Sequence, residues 1–184
     1  SVVRGVEVGK RDSSISTTPQ RGAFPVLRGE DVGRYNVCFS GFYIRPTDDL
    51  HKFKPRDLYR KPGVLVRRVA NDLMAAINTE DYYVLNTVYV AKPLSHCCVD
   101  VEFLCAVLNS RILNAYFHGM YINDDAIFPY IRKEQLVGLP IAVPSQQDHT
   151  RIAALARKCL DAKGEGCAEW EAEIDDRVAA LYGV

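Results

Sequence analysis

From Val101 to Met120 the apolar residues recur at helical spacing. Val101, Leu104, Cys105, Leu108, Ile112 and Phe117 fall on one stripe. The pattern predicts one amphipathic helix, with Asp100 as its N-cap and a stop at Gly119. Two further stripes end the chain. Ile152, Leu155, Ala156 and Cys159 share a face in a helix from about Gln146 to Ala162. Trp170, Ile174, Val178 and Leu181 do the same between Cys167 and Tyr182. Gly164 and Gly166 separate the two helices, which predicts an antiparallel pair.

Upstream the period shortens to that of strands. "VVRGVEV" (2–8) alternates, and "KRDSSISTTPQRG" (10–22) is a polar loop. "FPVLRGEDVGRY" reads as turns at Gly29 and Gly33 around a short helical segment. "VCFSGFYIRP" is a second strand, stopped by Pro46. A charged connector follows, with a short helix expected near Pro55 to Tyr59. Residues 63–69, 72–77, 82–85 and 87–91 are strand candidates, with turns at Asn71-Asp72 and Asn78-Thr79. "IFPYIRKEQLVGLPIAVP" is a helical turn leading into an apolar strand bounded by Pro140 and Pro144. The expected fold class is α/β (α+β): a mixed β-sheet, a long amphipathic helix and a C-terminal helical pair. The expected division is an α/β domain over residues 1–144 and a helical hairpin over 145–184.

Composition fits a folded chain, with 48% hydrophobic and 25% charged residues. No apolar run reaches the roughly 18–20 residues of a membrane helix. No leader pattern is visible, so a cytoplasmic protein without a signal peptide is expected. The chain opens Ser-Val-Val, which suggests a piece of a longer protein. Its six cysteines form no C-x-x-C pair, so reduced, mostly buried thiols are expected and zinc is not.

Formal charge is zero, yet the charges are segregated. Lys52, Lys54, Arg56, Arg60, Lys61, Arg67 and Arg68 gather against one acid, Asp57, and the acids collect in "GEGCAEWEAEIDD". Catalytic patterns are missing or weak. "GVEVGK" has the wrong spacing for a phosphate loop. His96, Cys97, Cys98 and Asp100 are sequence neighbours, and alternation along a strand sends such neighbours to opposite faces. Asp48-Asp49, Asp124-Asp125 and Asp175-Asp176 read as solvated pairs, and His51, His118 and His149 are scattered.

What remains is a binding surface. Arginine carries a rigid fork of donors suited to phosphates or guanine edges. Period-two alternation allows only one of Arg67 and Arg68 to face a ligand from a regular strand. Arg67 is preferred as the outward one, on the premise that a helix covers one face of the sheet only.

Several motifs then occur in order: "PVLRGEDVGRY" (25–35), "KPGVLVRRV" (61–69), "FLCAVLNSRILNAYF" (103–117), "FPYIRKEQLVGLPIAVP" (128–144) and "EIDDRVAALYGV" (173–184). In this they resemble the TaqI-like C-terminal specificity domain, the target-recognition part of adenine-N6 DNA methyltransferases and fused restriction–modification enzymes. The matching residues are Arg28, Gly29, Asp31, Arg34 and Tyr35, then Leu108, Asn109 and Ser110, then Leu139, Pro140, Ile141 and Pro144. "VVRGVEVGK" (2–10) is similar to the segment that enters such domains.

The resemblance implies a non-enzymatic domain that holds double-stranded DNA for a separate catalytic methyltransferase domain of the same parent chain. That catalytic domain would carry an Asn-Pro-Pro motif and S-adenosylmethionine; this chain has no Asn-Pro-Pro, and no cofactor is expected in it. The target base must leave the duplex to be methylated. Lys52, Lys54, Arg56, Arg60 and Lys61 are assigned to phosphates, with one of Arg67 and Arg68 facing DNA. Arg45, Asn71, Asn78 and Asn86 are candidates for base edges. The rival expectation is a protein-interaction module that docks through its C-terminal helices.

Overall fold

A computed structural model describes residues 1–9, 12–49, 51–121 and 130–184. Lys10, the Asp124-Asp125 pair and the "IFP" of the 128–144 motif region lie outside the described residues. The described strands are β1 (Val2–Arg4), β2 (Ile15–Ser16), β3 (Phe24–Leu27), β4 (Val32–Gly33), β5 (Asn36–Val37), β6 (Tyr43–Ile44), β7 (Val64–Arg67), β8 (Ala75–Ile77), β9 (Tyr83–Val84) and β10 (Val88–Ala91). The helices are α1 (Val101–Asn109), α2 (Arg111–Tyr121), α3 (Lys133–Val137), α4 (Gln146–Asp161) and α5 (Ala168–Leu181). The α+β class is the one expected.

The central sheet has the order β1-β10-β7-β8, antiparallel throughout. Register pairs Val64 with Ala91 and Val66 with Tyr89. Alternation then sorts the side chains. Val64, Val66, Ala75, Ile77, Tyr89 and Ala91 join the core under the helices. Leu65, Ala76, Val88 and Val90 join a second core beneath the β2-β6-β3-β9 sheet. Both faces of the central sheet are therefore covered. This corrects the premise behind preferring Arg67, which allowed for one covered face.

The predicted helix over 101–120 is two helices. Ser110 is extended, with φ −66° and ψ 150°, and its hydroxyl donates to the Val107 carbonyl at 2.7 Å. Periodicity could not show this, because the apolar stripe continues across the bend. At the bend two asparagines serve β8 and the residues leading into it. Asn109 exchanges two hydrogen bonds with the main chain of Ala75, both 2.9 Å. Asn114 accepts from the Leu73 N–H at 2.7 Å and donates to the Ser110 carbonyl at 3.0 Å. Side-chain amides thus stand in for a neighbouring strand, and buried backbone groups are left paired.

The terminal helices α4 and α5 form the expected antiparallel pair. Ser145 caps α4 by accepting from the Asp148 N–H at 3.1 Å. Ile152, Leu155, Ala156, Ile174 and Val178 share one cluster with Tyr35, Val64 and Phe103, so the hairpin packs on the same core as the sheet.

Some shorter elements differ from expectation. The first strand ends at Arg4, and Gly5 after it lies against the Val84 and Leu85 carbonyls, where a Cβ would have no room. The predicted strand "VCFSGFYIRP" is split into β5 and β6, with Gly41 at φ +81° between them. Phe24–Leu27 is a strand even with Pro25 in it, pairing with β6 and β9. The stretch from Pro140 to Pro144 is irregular.

Candidate nucleic-acid interface

One cleft brings together basic residues that are far apart in sequence. It encloses about 570 Å³ between β1, the 54–58 turn, the end of β7 and the start of α3. Arg4, Lys54, Arg68, Arg132 and Lys133 line it, against Glu7 and Glu134. Val2, Val3, Leu58 and Tyr89 supply its apolar wall. Glu7 is engaged by Arg4, and that hydrogen bond above all holds the Glu7 carboxyl below its ordinary range.

Arg68 is the best anchored of the cleft cations. Its Nη1 donates to the Asn86 carbonyl at 3.2 Å, and its guanidinium stacks 5.2 Å from the Tyr130 ring centre. Its Nε is buried without a partner among the described residues. Lys54 donates to the Arg4 carbonyl at 3.2 Å. Burial first, with the Arg4 and Lys133 charges adding to it, pulls the Lys54 ammonium below its ordinary value.

The other sequence-predicted residues are dispersed. Arg67 does not line the cleft; its Nε donates to the Val69 carbonyl at 3.0 Å. Arg56 lies 4.1 Å from the Phe24 ring centre and flanks Tyr83. Arg60 is exposed and pairs with Asp57 at 3.3 Å, and Lys61 is exposed beside it. Lys52 and Arg45 line a smaller hollow with Ser14 and Gln20, and Arg45 donates to the Arg21 carbonyl at 3.1 Å. Asn71 is exposed at a turn, where its carbonyl meets His118. The Asn86 side chain is half-buried. Asn78 is only 1% exposed and donates to the Tyr59 carbonyl at 2.9 Å, so its amide serves the fold.

Arg4, Arg132 and Lys133 escaped the sequence reading. Arg4 sits singly in an alternating strand, and Arg132-Lys133 open a five-residue helix; neither makes a charge run. Only the fold brings them to Lys54 and Arg68.

Gly29, Asp31 and Tyr35 of the first motif serve the fold. Asp31 is buried and accepts from the Arg28 N–H at 2.7 Å. Gly29 donates to the Thr87 hydroxyl at 2.8 Å. Tyr35 is buried at φ +54°, and its N–H donates to the Ala75 carbonyl at 2.8 Å. Among the described residues, no group of three or more His, Cys, Asp or Glu is placed to hold a metal ion. Nor, among the described residues, is any helix long and apolar enough to cross a membrane.

The TaqI-like C-terminal specificity domain family matches residues 24–141. The chain belongs to that family. The matched span of this specificity domain runs from β3 to the exit of α3 and takes in most of the central sheet. No curated protein sequence matches it. Among solved structures it is similar to the Type IIL restriction-modification enzyme MmeI in complex with DNA, with a TM-score of 0.67 and 10% identity. That likeness covers 100% of this specificity domain and 32% of the MmeI chain. At such identity the likeness is one of fold, and the specificity domain spans about a third of the enzyme's length.

Proposed function

We propose that the chain is the DNA target-recognition part of an adenine-specific DNA methyltransferase or restriction–modification enzyme. It would grip duplex DNA and fix its register, while a separate catalytic domain of the parent takes the flipped base and S-adenosylmethionine. The family match over residues 24–141 carries this reading. The DNA-bound MmeI structure of like fold supports it, as does the cleft whose five basic side chains outnumber its two acids. Phosphate contacts would position the duplex, and side chains on the surrounding loops would read bases.

The test is selection from a pool of random-sequence duplexes by the 184-residue chain, at salt that suppresses non-specific binding. Enrichment of one short motif is expected. A recovered pool with no common motif would remove sequence recognition from this chain.

The rival docking surface was the Trp170–Leu181 stripe. Ile174 and Val178 of that stripe are buried in the chain's own core, with Trp170 and Leu181 packed against it. A protein partner would have to take another face.

A further inference from the structure

We infer that the cleft seats a backbone phosphate of the bound duplex, and that Arg68 rather than Arg67 is the arginine of the pair that meets DNA. The inference rests on the reading that this chain binds DNA. It adds Arg4, Arg132 and Lys133 to the contact surface.

The charges inside the cleft are unbalanced. Arg4 is matched by Glu7. Lys54, Arg68, Arg132 and Lys133 have no carboxylate within ion-pair reach among the described residues. Like charges around one hollow repel; burial above all lowers the Lys54 ammonium, and Arg4 and Lys133 add to it against the attraction of Glu7. An anion in the hollow relieves the repulsion.

The donors also fit the anion. Asn86 and Tyr130 hold the Arg68 guanidinium in place, and its buried Nε lacks an acceptor among the described residues. A fixed guanidinium fork with ammonium groups beside it suits phosphate oxygens. Among the described residues no asparagine or glutamine lines the cleft, so no side-chain amide is there to read adenine. On this inference the cleft's cations hold phosphate and so position the duplex. Arg67 spends its Nε on Val69 and lies outside the cleft.

The test compares duplex binding across a salt series for the wild-type chain, Arg132→Gln/Lys133→Gln, Arg68→Gln and Arg67→Gln. Arg132 and Lys133 are exposed, so the double variant keeps its melting temperature and carries the test even if Arg68→Gln misfolds. Each phosphate contact contributes about 0.9 to the slope of log K against log salt. The double variant and Arg68→Gln should each flatten the slope by about 0.9 or more, weaken all sequences alike, and leave the preferred motif unchanged. Arg67→Gln should match wild type. A wild-type slope retained in the double variant, or flattened by Arg67→Gln instead, overturns the seat while DNA binding stands. A changed motif with an unchanged slope overturns it in favour of base reading. A wild type without salt-dependent binding overturns the DNA reading and the seat with it.

Discussion

Arg34 donates from its Nη1 to the main-chain carbonyl of Asn109 at 2.7 Å. Its Nη2 pairs with Glu171 of α5, so one side chain ties the turn after β4 to the end of α1 and to the terminal helix. Replacing it leaves a part-buried carbonyl and a part-buried carboxylate without their donor. Arg34→Gln should destabilise the fold by roughly 1–2 kcal/mol, discounted because about a third of the side chain meets solvent. Urea unfolding checks this. An unchanged midpoint would show that water replaces the arginine fully.

Phe103 is fully buried and Leu108 nearly so, both on α1 against the sheet. Phe103→Ala should cost about 3–5 kcal/mol and Leu108→Ala about 2–5 kcal/mol, from lost transfer energy and the cavity left behind. Thermal melting of either variant at the wild-type temperature would refute the packing described for α1.

The six cysteines divide evenly by burial. Cys38, Cys97 and Cys98 are exposed, whereas Cys105, Cys159 and Cys167 are buried. Burial pushes the Cys105 thiol up and, together with Cys167, raises Cys159 to about 12. An aromatic disulfide reagent near neutral pH should modify the three exposed thiols quickly and the buried three only on unfolding. Fast modification of all six in the native chain would contradict the burial.

Hydrogen bonds from Arg151, and then from Arg177, hold the Glu173 carboxyl down to about 2. A carboxyl depressed on folding stabilises the native state above its unfolded value of about 4.3. That contribution fades as pH falls from there through about 2. The melting temperatures of wild type and Glu173→Gln should therefore differ near neutral pH and converge in acid. The group is solvent-exposed, so salt should shrink the difference. A gap that widens in acid would reverse the assignment.

The helical half of the fold was legible because burial there follows a single stripe. Ile152, Leu155 and Ala156 on α4, and Ile174 and Val178 on α5, were all expected inward and are buried. The break at Ser110 was hidden, because the apolar stripe runs on across it and the Asn109 contacts with Ala75 beside it link residues distant in sequence. The strands were harder to read. Val64 to Val66 is buried on alternate faces by two different layers, so polar–apolar alternation was missing where sidedness was wanted. Pro25 and the glycines obscured β3 and split the strand after it. The basic run from Lys52 to Arg68 was plain in the sequence, yet the fold scatters most of it. The cleft draws instead on Arg4, Arg132 and Lys133, which local pattern could not link to Arg68.

The amides that Asn109 and Asn114 lend to β8 have a further consequence. A bare strand border is a template for another molecule, which can add itself strand by strand. Here the border is occupied from within, by groups too short to continue the ladder. The same two side chains thus pair main-chain groups at Leu73 and Ala75 that an added strand would otherwise need.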